Sequence, residues 1–294
     1  MSKIYLEIRS GLGNQLFQYA FGYSISREFN KELVLCPTYF DKYWKFVLKK
    51  ILGKEVRSFR LPFFIQNKIR LASRTEADQI QNNPDITTIR EEEYDNASMR
   101  SVFLSKNDFY LKGYWQNPDL FSAHFNDLVV QIAPSFRLSE KCMELLSRMN
   151  DRMVGIHVRR GDFLTNKSFG ACALEYYTQA MQYLSSKVRS PQFIIFTNDK
   201  SWVLKNFPPA FSWTIYSNDN DKYTDIEELY LLSKFQSLIL SNSTFSWWGG
   251  YLSFRNDRHI VCPMSWFLKK EMQDESTKLI NSDWKQIKNK LELF

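Results

Sequence analysis

The sequence predicts an α/β protein with two doubly wound domains. A strand, a glycine turn and an apolar helix follow one another twice, once near the amino terminus and once after residue 150, and further strands alternate with helices beyond the second opening. Strands that alternate with helices build parallel sheets from βαβ units. Because the two openings stand about half a chain apart, we expect two domains that face each other across a cleft.

The first opening begins with apolar residues that alternate from Ile4 to Ile8, which predicts a strand. The turn GLGNQ starts at Gly11 and leads directly into an apolar pattern of helical spacing. The residues of that pattern are Leu16, Phe17, Ala20, Phe21 and Ile25. The order strand, glycine turn, helix is therefore complete within the first 25 residues.

The second opening is the predicted strand MVGIHV, which starts at Met153 and is followed by the turn RRGD. The elements expected after it are a helix over 175–186, a strand from 193, a helix over 224–234, a strand from 237 and a helix from about 243. The terminal segment SDWKQIKNKLELF predicts an amphipathic helix that starts at Ser282 or Asp283.

The domain boundary is expected between residues 126 and 150. Pro134 interrupts the pattern there, ahead of a helix that Ser139 would cap. We therefore predict an amino-terminal domain over residues 1–148 and a second domain over 149–294.

The net charge of +7 and the pI near 9.1 allow a polyanionic partner but select none. Lys and Arg outnumber Asp and Glu by 21 to 17 in residues 1–148 and by 18 to 15 in 149–294, so no basic tail carries the excess. We expect no nucleic-acid partner. Residues 42–74 hold ten Lys or Arg against one acid, interleaved with apolar residues. This segment is either a solvated basic face, which we favour, or a surface that rests on anionic lipid.

The cysteines and the amino terminus predict a cytoplasmic protein. Cys36, Cys142, Cys172 and Cys262 lie far apart, which argues against a zinc site and a disulfide framework and favours a reducing compartment. Apolar residues near the start are interrupted by charge, and no run approaches the ~20 apolar residues of a membrane-spanning helix. At most, we expect the protein to touch the inner face of a membrane.

The motif HVRRGD places adjacent arginines at the carboxyl end of a predicted strand, where α/β sheets bind ligands. The fixed fork of an arginine suits phosphate oxygens, and Arg159 is the better candidate because Arg160 points to the opposite side. The alternative is a structural ion pair between Arg160 and Asp162 across the Gly161 turn.

Two further turns could bind a ligand. SNSTFSWWGG leads from a strand into a helix, where free N–H groups and the hydroxyls of Ser243 and Thr244 could hold an anion; ordinary N-capping is the alternative. GLGNQLFQYAFG offers glycines for close approach, with Asn14 and Gln15 as hydrogen-bonding side chains. This turn is not the dinucleotide motif G-x-G-x-x-G, because Leu16 occupies its last glycine position.

The three motifs, in this order, resemble those of the bacterial α-1,2-fucosyltransferases of glycosyltransferase family 11. GYWQ, from Gly113, and FTND, from Phe196, are similar to further blocks of that family. The resemblance implies the GT-B fold of two Rossmann-like domains, with GDP-fucose as the donor and inversion at the anomeric carbon. It also implies that no metal or other cofactor is required.

The resemblance also implies roles for individual residues. Arg159 would hold the diphosphate, His157 would lie beside the nucleotide, and Asn14 would reach the reacting sugar. An acid on the helix before SLIL would bind guanine; Glu228 is our candidate, and Glu227 is the alternative if the register shifts by one residue. The remaining predicted substrate contacts are Ser243, Thr244, Gly13 and Gln15.

We therefore predict transfer of L-fucose from GDP-fucose to a galactose 2-hydroxyl of a glycan in surface-polysaccharide synthesis, with residues 1–148 on the acceptor side. Arg159 would stabilise the charge that develops on the departing phosphate. Asp162 is our candidate for the base. The alternatives are fucosyl transfer with another linkage and a sugar-nucleotide-binding protein without catalysis. Asp219 and Asp221 form a D-x-D of the metal-binding type, but they lie in a turn-like run and we assign no metal to them.

Overall fold

The computed structural model describes residues 1–41, 57–66, 68–95, 99–217, 224–253 and 257–293. The chain divides into two compact units, Met1–Ser135 and Phe136–Phe294. Both are α/β units built on parallel sheets, as the sequence predicts.

Unit 1 is built on a five-stranded parallel sheet of order β3-β2-β1-β5-β4. Its strands are β1 Lys3–Glu7, β2 Glu32–Cys36, β3 Arg70–Leu71, β4 Thr87–Arg90 and β5 Phe109–Lys112. Its helices are α1 Leu12–Glu28, α2 Arg74–Gln81 and α3 Phe125–Gln131, with short 3-10 turns at Thr38–Asp41, Leu61–Phe63, Glu91–Glu93, Arg100–Leu104, Pro118–Leu120 and Ser122–His124.

Helix α1 is the central helix of unit 1. Nearly every side chain from Leu12 to Ile25 is buried, and a helix that is buried all round belongs inside a core. Gly22 allows this helix to approach β1 closely, because a Cβ at residue 22 would lie 2.7 Å from the Cδ2 atom of Leu6. The glycine turn before α1 is thereby fixed at the carboxyl end of β1.

Unit 2 has a six-stranded parallel sheet of order β12-β11-β10-β6-β8-β9 and a short antiparallel pair, β13-β7. Its strands are β6 Met153–Val158, β7 Ala171–Cys172, β8 Gln192–Thr197, β9 Trp213–Ile215, β10 Ser237–Ile239, β11 His259–Pro263, β12 Lys285–Ile287 and β13 Leu291–Glu292. Its helices are α4 Glu140–Arg148, α5 Asp162–Thr165, α6 Leu174–Ser185, α7 Lys200–Asn206, α8 Thr224–Leu232, α9 Thr244–Tyr251 and α10 Lys270–Ser276, with a 3-10 turn at Thr277–Leu279. Every residue of the central strand β6 is buried, as expected for a strand covered on both faces.

Helix α4 belongs to unit 2, although the predicted boundary assigned residues 140–148 to the first domain. The cause is a contact 88 residues along the chain: Glu227 accepts hydrogen bonds from the backbone N–H and the hydroxyl of Ser139. Ser139 is the N-cap of α4, so its bonds to Glu227 fasten that helix to α8.

The predicted carboxyl-terminal helix is wrong. Residues after Trp284 form β12, which extends the large sheet beside β11, and β13, which pairs with β7. Trp284 and Ile287 are buried, so the apolar spacing that suggested a helix serves a strand at the sheet edge. Backbone partners offered by the sheet override a helical periodicity that is only weakly marked.

All four cysteines lie in the described part of the chain, where they are buried and form no disulfide. Within the described ranges, no helix combines the length and the apolar content that crossing a membrane would require.

Candidate active site

The carboxyl ends of two neighbouring parallel strands bring two of the predicted motifs together in unit 2. Strand β6 ends in HVRRGD and β10 leads into SNSTF, and the strands pair directly through Gly155 and Leu238. The Nδ1 atom of His157 lies 2.9 Å from the Oγ atom of Ser241. This hydrogen bond joins the arginine motif to the hydroxyl turn.

His157 is a neutral side chain. It is 6% exposed, and its ring lies 5.1 Å from that of Phe245. Burial, followed by the charge of Arg159, lowers the pKa of His157 to about 3. The imidazole can therefore donate or accept a hydrogen bond without carrying a charge at neutral pH.

Arg159 is the first residue after β6, and its side chain is 14% exposed. Its Nη2 atom donates to Oδ1 of Asp162 over 2.6 Å, and its guanidinium lies 5.5 Å from the centre of the Phe163 ring. The arginine fork is thus held at the sheet edge by an ion pair and an aromatic ring. Asp162, the candidate base, is the anionic partner of that cation.

The alternative ion pair between Arg160 and Asp162 is wrong, because Asp162 pairs with Arg159. Arg160 is 5% exposed and points to other partners. Its Nε lies 3.4 Å from Asp199, its Nη1 lies 3.3 Å from Glu292, and its guanidinium stacks 3.9 Å from the Trp202 ring centre. As expected, this second arginine faces the interior and braces the turn.

The turn after β10 leaves the predicted anion site available. Ser243 is the N-cap of α9, is 7% exposed, and makes no side-chain capping hydrogen bond, so the ordinary N-capping alternative does not account for it. Thr244 is half-buried in the first turn of α9. The Asn242 amide donates to the carbonyls of Gly170 and Trp266, which fixes the turn.

The aromatic part of that motif belongs to the scaffold of unit 2. Trp247 and Trp248 are fully buried. A Cβ at Gly249 would lie 2.9 Å from the Cβ of Leu232, so this glycine allows α9 to pack tightly on α8.

The two candidate guanine-binding acids on α8 lie in different surroundings. Glu227 is fully buried, and its Oε1 and Oε2 accept from the N–H and hydroxyl of Ser139 at 2.5 and 2.7 Å. Glu228 is half-buried. The Glu227 carboxylate already holds α4 through Ser139, and contact between Glu228 and guanine stays a prediction.

In unit 1, the two polar side chains of the GLGNQ turn, Asn14 and Gln15, have different contacts. Gln15 is fully buried, donates to the carbonyls of Ser10 and Ser58, and accepts from the Arg60 N–H at 2.9 Å. It fastens residues 58–60 to the turn, which differs from the predicted substrate contact. Gly13 is also buried, in the first turn of α1.

Asn14 is half-buried and joins two motifs of unit 1. Its Nδ2 atom donates to Oγ of Ser10 over 2.9 Å, and its Oδ1 accepts from Nε2 of Gln116 over 2.8 Å. The glycine turn after β1 and the GYWQ segment after β5 therefore meet at one edge of the sheet.

The sequence did not indicate Ser241, which holds His157, or Glu91, which holds the GYWQ segment. Glu91 accepts from the N–H groups of Tyr114 and Gln116, more than 20 residues further along the chain. No local pattern marks a contact of that separation.

The absence of a metal requirement stays a prediction. Asp219 and Asp221 lie outside the described residues. Among the residues that the structure describes, no three His, Cys, Asp or Glu side chains are grouped so that they could hold a metal ion.

Comparison with known proteins identifies the family. The family model described as Glycosyl transferase family 11 matches residues 3–288. The chain is 26% identical to the O-antigen biosynthesis glycosyltransferase WbnK of Escherichia coli, over 90% of this chain and 95% of the relative. It is 29% identical to an alpha-1,2-colitosyltransferase of the same organism, over 92% and 95%.

The fold is similar to that of a solved structure, the fucosyltransferase NodZ from Bradyrhizobium. The TM-score is 0.52 at 12% identity, covering 85% of this chain and 93% of NodZ. Each unit of the chain is thus a doubly wound domain of the GT-B type.

The chain belongs to glycosyl transferase family 11, and it is a glycosyltransferase.

Proposed function

We propose that the protein is an inverting α-1,2-fucosyltransferase, which moves L-fucose from GDP-fucose to the 2-hydroxyl of a galactose in a glycan acceptor. The observation that carries the proposal is the edge of unit 2 where His157 lies at the end of one strand, and Arg159 and Ser243 follow two adjacent strands. A fixed cation, a neutral imidazole and a helix N-terminus with an uncommitted N-cap hydroxyl suit a nucleoside diphosphate. The relatives support an α-1,2 linkage and a role in O-antigen synthesis.

The donor would be held by three kinds of contact in unit 2. Arg159 binds the diphosphate through its fork, and Ser243 and Thr244 bind phosphate oxygens through their hydroxyls. Glu228 accepts both guanine N1–H and N2–H with one carboxylate. His157 contacts the nucleotide through a hydrogen bond only, because it is uncharged.

The chemistry follows from the charge that develops as GDP departs. Negative charge grows on the β-phosphate oxygen, and Arg159 stabilises it more in the transition state than in the ground state. The acceptor hydroxyl attacks the anomeric carbon from the opposite face and loses its proton to a base, for which Asp162 is the candidate. A phosphate bound to Arg159 would weaken the pair between Arg159 and Asp162 and release that carboxylate to accept a proton.

The remaining assignments follow from the same reaction. Unit 1, with Asn14, takes the acceptor side. Catalysis needs no metal, since Arg159 already supplies a cation for the phosphate. The reaction takes place in the cytoplasm, where a sugar nucleotide is available. Residues 42–56 of the basic segment 42–74 lie outside the described residues, and its contact with the inner face of a membrane stays a prediction.

A second candidate differs only in the sugar that is moved. One relative is named as an alpha-1,2-colitosyltransferase, which favours transfer of a colitosyl group as the alternative. The decisive experiment supplies GDP-fucose or GDP-colitose with methyl β-galactoside and determines the product linkage by NMR. We expect fucose on O2, and no product from the 2-deoxy galactoside control. Transfer to the 2-deoxy acceptor would contradict the proposed linkage, and a preference for GDP-colitose would select the alternative.

A further inference from the structure

The carboxyl ends of β1 and β5 in unit 1 carry a partly exposed group of polar and aromatic side chains. We call this group, Arg9, Asn14, Tyr114 and Gln116, the β1–β5 patch. The two strands are parallel neighbours, with Ile4 opposite Phe109. Side chains that follow them therefore meet at the edge where α/β sheets bind ligands.

The ring of Tyr114 is an exposed aromatic surface in a protein whose large aromatics are mostly buried. The residue is 36% exposed. The Cζ atom of Arg9 lies 4.4 Å from the ring centre, and this cation–π contact holds the ring in one orientation. A fixed tyrosine offers an apolar face and a polar tip, which suits the apolar face and the hydroxyls of a pyranose.

Arg9 keeps hydrogen-bond donors for a ligand. Its Nε lies 3.4 Å from Oε2 of Glu7, which fixes the guanidinium. The two terminal nitrogens have no acceptor among the described residues, and 28% of the side chain is exposed. These donors stand beside the Tyr114 ring.

Gln116 keeps an acceptor for a ligand. Its Nε2 donates to Oδ1 of Asn14, and Nδ2 of Asn14 donates to Oγ of Ser10. These two hydrogen bonds fix the orientation of both side-chain amides. The Oε1 atom of Gln116 accepts no hydrogen bond from any residue in the described ranges. An amide oxygen presented in this way can hold the proton of a sugar hydroxyl.

The backbone under the patch is held in a costly conformation. Trp115 has φ 57°, which is strained for a bulky residue, and it is fully buried with its ring stacked 4.2 Å from that of Phe21. The Glu91 carboxylate accepts the N–H of Tyr114 at 2.6 Å and that of Gln116 at 3.3 Å. Residue 113 must be glycine here, because a Cβ would lie 2.4 Å from the Cβ of Glu91.

We infer that the β1–β5 patch is the subsite for the acceptor pyranose, with Tyr114 as the stacking surface, Arg9 and Gln116 as hydroxyl ligands, and Glu91 as a positioning residue beneath them. The inference rests on the proposed function, since it names where that reaction takes its acceptor.

The first test removes the ring. Tyr114→Ala should raise the KM for methyl β-galactoside about tenfold, from one lost stacking contact, while the KM for GDP-fucose and the slow hydrolysis of donor without acceptor stay at wild-type values. Tyr114→Phe, which keeps the ring, should stay within about threefold of wild type. The matched control is Tyr183→Ala, which removes a ring that Lys187 covers in unit 2. A wild-type acceptor KM in Tyr114→Ala would overturn the inference.

The second test addresses Glu91. Glu91→Gln replaces one acceptor with a donor opposite a backbone N–H, so the acceptor KM should rise about tenfold with an unchanged donor KM. Glu93→Gln makes the same charge change on the exposed end of the same turn and should leave both KM values unchanged. A merely structural role for Glu91 would lower the melting temperature without this split, and that result would remove Glu91 from the inference.

Direct binding separates the inference from the proposed function. Saturation-transfer NMR with methyl β-galactoside should show sugar contact in the wild type and its loss in Tyr114→Ala, whether or not the donor turns over. If the wild type fails to use GDP-fucose but binds the galactoside through Tyr114, the proposed function fails and the subsite stands. If transfer proceeds and the sugar signal is unaffected by Tyr114→Ala, the subsite fails alone.

Discussion

Replacing Arg159 with alanine should nearly abolish transfer while leaving the fold intact. The expected loss is about 3–4 kcal/mol of transition-state stabilisation, or 10²–10³ in kcat, because one preorganised charge contact is removed. The loss of stability should be small. Asp162, the carboxylate that would be left behind, is 38% exposed, and ion pairs of that exposure contribute about 0–1 kcal/mol. Arg159→Lys should recover little activity, since a point charge replaces a two-pronged fork.

The neighbouring arginine provides the contrast. Arg160 is 5% exposed between Asp199, Glu292 and Trp202, so Arg160→Ala should cost about 2 kcal/mol of folding free energy and about 4–8 °C in melting temperature. Arg148, which is 66% exposed and pairs with Glu144, is the matched surface control and should change neither quantity.

Two measurements on each variant decide the matter: the initial rate of GDP release with saturating acceptor, and the melting temperature. Arg159→Ala should lose rate with an unchanged melting temperature, and Arg160→Ala should lose stability. Wild-type turnover in Arg159→Ala would refute the phosphate assignment. A melting temperature that falls as far as that of Arg160→Ala would show that the lost rate comes from the fold.

Three further predictions concern metal, guanine and pH. Activity should be complete in excess EDTA; a requirement for added Mn²⁺ would return attention to Asp219 and Asp221. Glu228→Gln should weaken GDP binding in calorimetry, because an amide presents a donor to one guanine N–H. Glu227→Gln should chiefly lower the melting temperature, because it loses hydrogen bonds to the N-cap of α4. A larger loss of GDP affinity in Glu227→Gln would assign the guanine contact to Glu227. His157 should destabilise the protein in acid. Its pKa is about 3 in the folded protein and 6.5 for a histidine in the unfolded chain, so the unfolded chain takes up a proton at a higher pH than the folded protein does. The free energy of unfolding should therefore fall by about 1.4 kcal/mol per pH unit as the pH drops from 6.5 towards 3. His157→Gln should show a shallower fall of melting temperature between pH 7 and pH 4, and parallel curves would disprove the assignment.

Much of the fold could be predicted because its signals are local. The alternation at Ile4 to Ile8, the glycine turn and the apolar face after Leu12 each lie within a few residues, and the structure confirms β1 and α1 there. The prediction of a helix at the carboxyl terminus was wrong because the structure there depends on non-local contacts. Residues Lys285–Ile287 form a strand because β11 supplies backbone hydrogen-bond partners, and the sequence of the segment itself carries no signal for that pairing.

The candidate site divides in the same way. The motif HVRRGD predicts a ligand-binding cation at Arg159. It does not show which of the two arginines forms the ion pair with Asp162, since both lie within reach across the turn. The structure answers this through the distant carboxylates of Asp199 and Glu292, which draw Arg160 away. The contacts of Glu91 with the GYWQ segment, and of Gln15 with residues 58–60, were not predicted for a related reason. They are hydrogen bonds to backbone groups far along the chain.

The bond between Arg160 and Glu292 also sets an order of events during synthesis. The two residues are 132 positions apart, so at about 5–20 residues per second the arginine turn waits roughly 7–26 s for its last carboxylate. Unit 1 ends at Ser135 and has its sheet complete well before that moment. The amino-terminal unit can therefore fold on the ribosome while the turn that carries Arg159 still lacks its contact with Glu292, which forms only when β13 emerges.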